Sequence, residues 1–371
     1  MNTAIKKNPK NQVKSLIFGS NGISRKEMAG ESGLDVRTVS GYVEELLKQG
    51  LIIEKSAGPV GKGRPSVLYC SNSEKLAFTG IILRARELAY CSCTPAGDII
   101  SDGSESFDPE SETKLKTIKR ILDRIEFLKK EAESEGKINS GIGIAISRWL
   151  KPPLSVYDLF SDITEIVERE TGIPTFSSTP IDAALYHIRN ISRAVRDMII
   201  IHPGIVVELG IMLGGSIPAD SREIEKAFSH ICVEENGAGC YCGKNGCLEH
   251  YASNVSINNI LIAELKKDAI SETLLFKEGL KRKIPAYVRT AEKVSLVLAR
   301  GISEICRLYG LKSVNLLAVP EEISDKTVRK LEKLPQFKEK LIACSTFPQI
   351  DIARAAALMA AFEVVGNFEK I

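Results

Sequence analysis

Three cysteines stand within eight residues in CYCGKNGCLE, at positions 240, 242 and 247, with glycines at 243 and 246 between them. Thiols at this density serve either a disulfide framework or a metal, and the compartment decides which. The opening MNTAIKKNPKNQ has no apolar segment of the kind a secretory signal needs, and no run approaches the roughly 18 apolar residues of a membrane helix. The sequence therefore predicts a cytoplasmic protein with no membrane segment and a thiolate metal site. Three thiolates plus one imidazole suit tetrahedral zinc, and with all four positions filled the ion is structural. Gly243 and Gly246 let the chain curl round it. Spacing alone leaves the fourth ligand open: His250 lies three residues after Cys247, His230 lies ten before Cys240, and Cys232 is an outside candidate. Cys70, Cys91, Cys93, Cys306 and Cys344 read as core thiols.

A second kind of chemistry is written in the charge distribution. Residues 1–70 carry 11 Lys+Arg against 6 Asp+Glu, whereas the remaining 301 carry 39 against 41. A basic segment on a nearly neutral body points to a polyanion partner. The pattern of that segment says which. Val13, Leu16 and Ile17 give a first helix its apolar face. Ser24 followed by Glu27 is a capping box for a second, and Asp35 is an N-cap for a third. In the third, Val36, Val39, Val43, Leu46 and Leu47 fall at helical spacing and are expected to face inward, leaving Arg37, Thr38, Ser40 and Tyr42 outward. Gly50 closes the helix. Strands at 51–55 and 67–70 around SAGPVGKGRPS form a wing, with Lys62 and Arg64 at its tip for phosphates or a minor groove. Helix, turn, polar helix and basic wing together suit a major groove.

The elements behind these sites alternate between strand and helix, which predicts an α/β body. FTGIILRARELAYCSC, SGIGIAISRWL, DMIIIHPGIVVELGIML and SVNLLAV read as strands. A helix of about 286–309 presents Val294, Val297, Leu298, Ile302, Ile305 and Leu308 on one side, and DIARAAALMAAFEVV is a final apolar helix.

In this order the chain resembles the ROK family of bacterial repressors and sugar kinases over about residues 11–365. The marker is a His followed by C-x-C-G-x-x-G-C-x-E, here Cys240, Cys242, Gly243, Gly246, Cys247 and Glu249. The resemblance implies an actin-like body of two ribonuclease-H-like α/β lobes about a cleft, behind an N-terminal winged helix-turn-helix. It implies boundaries at 1–72 for the head, 73–195 plus the helix 350–371 for the first lobe, and 196–349 for the second. It selects His230 as the fourth metal ligand, and it gives His230 and Glu249 as the remaining effector-binding pair.

A sugar kinase of this family needs more, because phosphoryl transfer rests on positioning and electrostatics. Ile82 and Arg84 stand where an Asp and a Gly are expected. Thr179 and Pro180 replace the Asn-Asp that supplies the general base, with Asp182 two residues beyond. Val206 and Val207 fill the phosphate loop, Ala227 replaces a sugar-binding Glu, and LAVPEE replaces a late Gly-Gly. The expectation is a transcriptional regulator, a repressor of carbohydrate-related genes and not an enzyme, that binds a double-stranded operator as a homodimer or homotetramer. A sugar or sugar derivative is its expected effector. The alternative is a sugar or amino-sugar kinase with an atypical site.

Overall fold

The computed structural model describes residues 9–367 except 19, 21, 57–66, 85–86, 109–110, 148–160, 192–195, 216, 219, 266–272, 312, 318, 338–340 and 346–348. The chain divides into two compact units, Met1–Arg193 with Pro348–Ile371, and Ala194–Phe347.

The first unit begins with the head: α1 (Pro9–Phe18), α2 (Arg25–Ser32), α3 (Val36–Lys48) and an antiparallel ribbon of β1 (Ile52–Ser56) and β2 (Val67–Ser71). Local chemistry fixes these ends. The Ser24 hydroxyl accepts from the Glu27 N–H, and the Glu27 carboxylate accepts from the Ser24 N–H at 2.8 Å, a complete capping box. The Asp35 carboxylate accepts from the Thr38 N–H at 2.9 Å. Gly50 follows α3 at φ +69°, the left-handed turn that ends a helix. Val39, Val43 and Leu46 are buried as their spacing requires. Val36 is not: it is 50 % exposed, because the first turn of α3 reaches past the helices that cover the rest of its apolar stripe.

The body of this unit is a five-stranded sheet ordered β5-β4-β3-β6-β7. Its strands are β3 (Leu76–Arg84), β4 (Glu87–Cys93), β5 (Ile99–Ser106), β6 (Ile138–Ile146) and β7 (Thr175–Ser178); β3 to β5 run antiparallel, while β6 and β7 continue parallel to β3. Both faces of β3 and β6 are covered, so their sequences are apolar nearly throughout. Ile81, Leu83, Ile142 and Ile144 pack with Ile118, Ile121, Ile125 and Leu128 of α4 (Lys114–Ser134). α5 (Ile163–Thr171) and α6 (Pro180–Ile191) follow.

The opposite face takes the last helix of the chain, α13 (Gln349–Asn367), whose intervening predecessors α7 to α12 belong to the second unit. Gly80 and Gly143 are direct neighbours across the β3–β6 ladder. A Cβ at Gly80 would lie 1.8 Å from the Ala353 carbonyl oxygen, and one at Gly143 would lie 1.9 Å from that of Ala356. The two glycines thus form the bed in which α13 rests. Ala357, Leu358, Ala360, Ala361 and Val364 then share a single apolar cluster with Leu76 and Phe78 of the sheet and with Val13, Ile17, Met28, Val43 and Leu46 of the head.

The second unit carries a four-stranded sheet ordered β11-β10-β8-β9, in which β8 (Met198–Pro203) and β9 (Val207–Met212) form a hairpin and β10 (Ser313–Leu317) and β11 (Leu341–Ser345) run parallel to β8. Around it lie α7 (Ser221–Ser229), the short α8 (Glu249–Ala252), α9 (Asn254–Leu265), α10 (Thr273–Lys281), α11 (Pro285–Tyr309) and α12 (Glu321–Glu332). In α11, Val294, Val297, Leu298, Ile302 and Ile305 enter the core, but Leu308 is 61 % exposed: the last turn overruns the surface it packs on. Among the described residues no helix is long and apolar enough to cross a membrane.

Candidate metal centre and DNA-reading head

His230 ends α7, its N–H bonded back to the Lys226 carbonyl, so the helix fixes where its ring stands. The loop that follows pairs with itself before the three thiols arrive. Val233 donates to the Gly246 carbonyl, Leu248 donates to that of Ile231, and Gly246 donates to that of Ala238. A tight turn closes between Cys240 and Lys244, and Cys232 and Cys247 bridge as antiparallel partners. Gly243 and Gly246 take φ of +86° and +68°, and a Cβ at Gly246 would lie 1.7 Å from the Glu234 carbonyl oxygen. Glycine is required at 246 twice over, by conformation and by space.

The result is one cluster. Donor atoms of His230, Cys240, Cys242 and Cys247 all lie within 4.8 Å of one another. The Cys240 Sγ is 3.5 Å from His230 Nδ1, and the Cys242 and Cys247 sulfurs are 3.6 Å apart. A tetrahedral ion with bonds of about 2.3 Å to sulfur and 2.0–2.1 Å to nitrogen has ligand–ligand edges of about 3.8 and 3.6 Å. The cluster's donor set and these two edges therefore suit a four-coordinate metal site. Burial, then hydrogen bonding with neighbouring thiols, pushes the Cys247 thiol up to about 12, so a metal ion bound there would have to displace its proton. Burial lowers the His230 imidazole, keeping a nitrogen lone pair free. His250 and Cys232 stand outside the cluster.

Sequence reading missed what holds this loop from outside. Lys293 on α11 pairs with Glu234 and lies 5.0 Å from the centre of the Tyr251 ring, whose hydroxyl accepts from the Ala238 N–H at 3.0 Å. Arg300 donates to the Val233 carbonyl at 2.8 Å. Lys293 and Arg300 are seven residues apart, two turns along one face of α11, and that spacing was the available signal.

Glu249 is 4 % exposed and its Oε2 accepts from the Val207 N–H at 2.7 Å. Burial pushes its carboxyl up. It thereby ties the metal loop to the β8–β9 turn, where His202 and Glu208 pair at 2.7 Å. The kinase positions are equally specific. Ile82 is core, Thr179 is buried and its hydroxyl accepts from the Asp182 N–H at 3.2 Å as α6 begins, and Ala227 is exposed.

On the head, Arg37 is exposed on α3. The other side chains are more committed than their spacing suggests. The Thr38 hydroxyl donates to Asp35 at 2.6 Å, the Ser40 hydroxyl donates to the Val36 carbonyl at 2.8 Å, and Tyr42 is half-buried against the apolar cluster rather than turned fully outward. Arg25 lies over the Tyr69 ring at 5.2 Å and reaches Ser40, joining α2, α3 and the ribbon. Lys62 and Arg64 lie outside the described residues.

Comparison with known proteins gives a consistent picture. A model of the ROK family matches residues 99–318. A xylose repressor of Caldicellulosiruptor bescii is 24 % identical over 85 % of this chain and 82 % of its own. Among solved structures, a ROK family transcriptional regulator, described as a homologue of the Escherichia coli MLC protein, superposes with a TM-score of 0.76 over 98 % of this chain and 97 % of its own, at 19 % identity. A ROK hexokinase of Thermus thermophilus superposes with a TM-score of 0.66 over 78 % of this chain and 99 % of its own, at 17 % identity.

Proposed function

The chain belongs to the ROK family, and we propose that it is a sequence-specific DNA-binding repressor of carbohydrate-related genes whose kinase-like body has no phosphoryl-transfer role. The observation that carries this reading is the head: a capped α2–turn–α3 with an antiparallel ribbon behind it and an exposed Arg37 on α3. Such a unit places its second helix in a major groove, with a homodimer matching two half-sites. Arg37 addresses a base edge. Thr38 and Ser40, with hydroxyls bound to the helix itself, and Tyr42 lie beside the backbone, and Lys62 and Arg64 of the wing hold the flanking groove.

The absence of an acid at position 82, in the buried centre of β3, supports the regulator over the kinase, as does the conversion of Thr179 and Pro180 into the start of α6. The four-donor cluster is best filled by zinc held by His230, Cys240, Cys242 and Cys247, which leaves no position for a substrate. An ion held there would cross-link the end of α7 to the loop before α8. His230 and Glu249 remain the family's effector-facing pair. Since Glu249 already binds the β8–β9 turn, an effector that takes its second oxygen is read by that hairpin as well. Relatives named xylose repressors make a pentose the first effector to try.

The test is enrichment of genomic fragments by the full-length protein, followed by binding to the enriched site with and without xylose and related sugars. A specific site, released or tightened by one sugar, is the expected outcome. ATP turnover with a sugar, or no enriched fragment, overturns the reading.

A further inference from the structure

Two features of α3 have no explanation inside the chain. Val36, at its first position, is 50 % exposed, and among the described residues nothing covers it. Gly41, in the middle of the same helix, is exposed, and a Cβ there would meet nothing within 4 Å. Glycine is nearly the worst helix former, so a mid-helix glycine with empty space around it serves something that approaches from outside. Arg37 and Gly41 are one turn apart on one side of α3, and exposed Val36, about 100° round the helix from Arg37, borders that side. The hydroxyls of Thr38 and Ser40 are turned back onto the helix, which leaves Val36 and Arg37 as the projecting side chains of the first turn.

In the major groove the one apolar mark on a base edge is the C5 methyl of thymine. Resting on the DNA-binding reading above, we propose that Val36 packs on a thymine methyl in each half-site, beside the base edge met by Arg37, and that Gly41 is where the groove comes closest to α3. The operator half-site then contains a thymine next to the Arg37 contact, and the register of α3 is set by close backbone approach at 41.

The full-length protein is used to enrich duplexes from a random pool, and each thymine of the enriched site is replaced singly by uracil. Uracil keeps every hydrogen-bonding group and lacks only the methyl. One thymine in each half-site should show a loss of about fourfold, the value of one buried methyl group. The Val36→Ala variant should be nearly indifferent to the same replacement. Gly41→Ala should raise the thermal midpoint of the free protein and weaken the enriched site at least tenfold, a pair of opposite signs that a purely structural role cannot produce. Tolerance of uracil at every thymine, or equal losses in Val36→Ala and the parent, overturns the methyl contact. Parent-like binding by Gly41→Ala overturns the close approach. If no duplex is enriched, the DNA-binding reading itself falls and this proposal with it.

Discussion

Substituting alanine at Gly80 or Gly143 places a methyl where the backbone of α13 already lies. Ordinary contacts for a Cβ begin near 3.4 Å, so the 1.9 Å approach at Gly143 requires α13 to lift by about 1.5 Å, and Gly80 requires slightly more. Overpacking costs about 1–3 kcal/mol when flexible side chains absorb it. Here the obstructing atoms are a helix backbone, so each single variant is placed at about 3 kcal/mol. For a unit of this size that is a fall of about 9 °C in thermal midpoint. Because the two glycines are ladder neighbours under one helix, the first substitution opens the gap that the second needs. The double variant should therefore cost about 4 kcal/mol rather than 6, a coupling expected of sites that share a partner. Urea denaturation of the parent, both singles and the double measures all terms in one cycle. Singles within about 0.5 kcal/mol of the parent, or a double equal to the sum, would refute the picture of α13 seated on a glycine bed.

Three further outcomes follow from the site and the second unit. Replacing Cys247 with Ser should cut bound zinc from about one per chain to well below half and lower the thermal midpoint, read by metal analysis and calorimetry; a full metal complement in the variant removes Cys247 from the ligand set. Arg37→Ala should lose about 1–3 kcal/mol at the enriched site and relax base preference at one position per half-site, measured by competition binding. Glu292 on α11 is held down to about 2, first by its hydrogen bond to Lys326 and then by that to Lys330, so it carries stability above about pH 4.5 that disappears as pH falls toward 2. With the side chain 49 % exposed, solvent screening limits this to below about 1 kcal/mol. Glu292→Gln should thus unfold at lower urea than the parent at pH 7, with the gap closing at pH 2–3; a gap independent of pH would sink the assignment.

Features encoded within a few residues were legible before any coordinates. The Ser24–Glu27 box, the Asp35 cap and the turn at Gly243 depend on neighbours three or four residues away, and each is where its spacing placed it. The ends of amphipathic stripes were not. Val36 and Leu308 obey the helical period, yet each lies one turn beyond the surface its helix packs on, and no pattern within a helix records where its partner stops. Long-range braces were also invisible. Lys293 and Arg300 reach residues 59 and 67 positions away, and Glu249 reaches Val207 across 42. The glycine bed escaped notice for a related reason: GIGIA reads as an ordinary strand until the helix that needs the missing side chains is placed on it.

The apolar cluster joining the head to α13 also sets an order of events during synthesis. Val13, Ile17, Met28, Val43 and Leu46 leave the ribosome long before Ala357, Leu358, Ala360, Ala361 and Val364, which complete their surroundings. A nascent chain therefore carries its reading helix on an unfinished footing, with apolar surface still open. The cluster is complete only once the far end of the polypeptide has emerged and docked. A chain that ends before Gln349 lacks α13 and leaves the head without the residues that complete its apolar cluster.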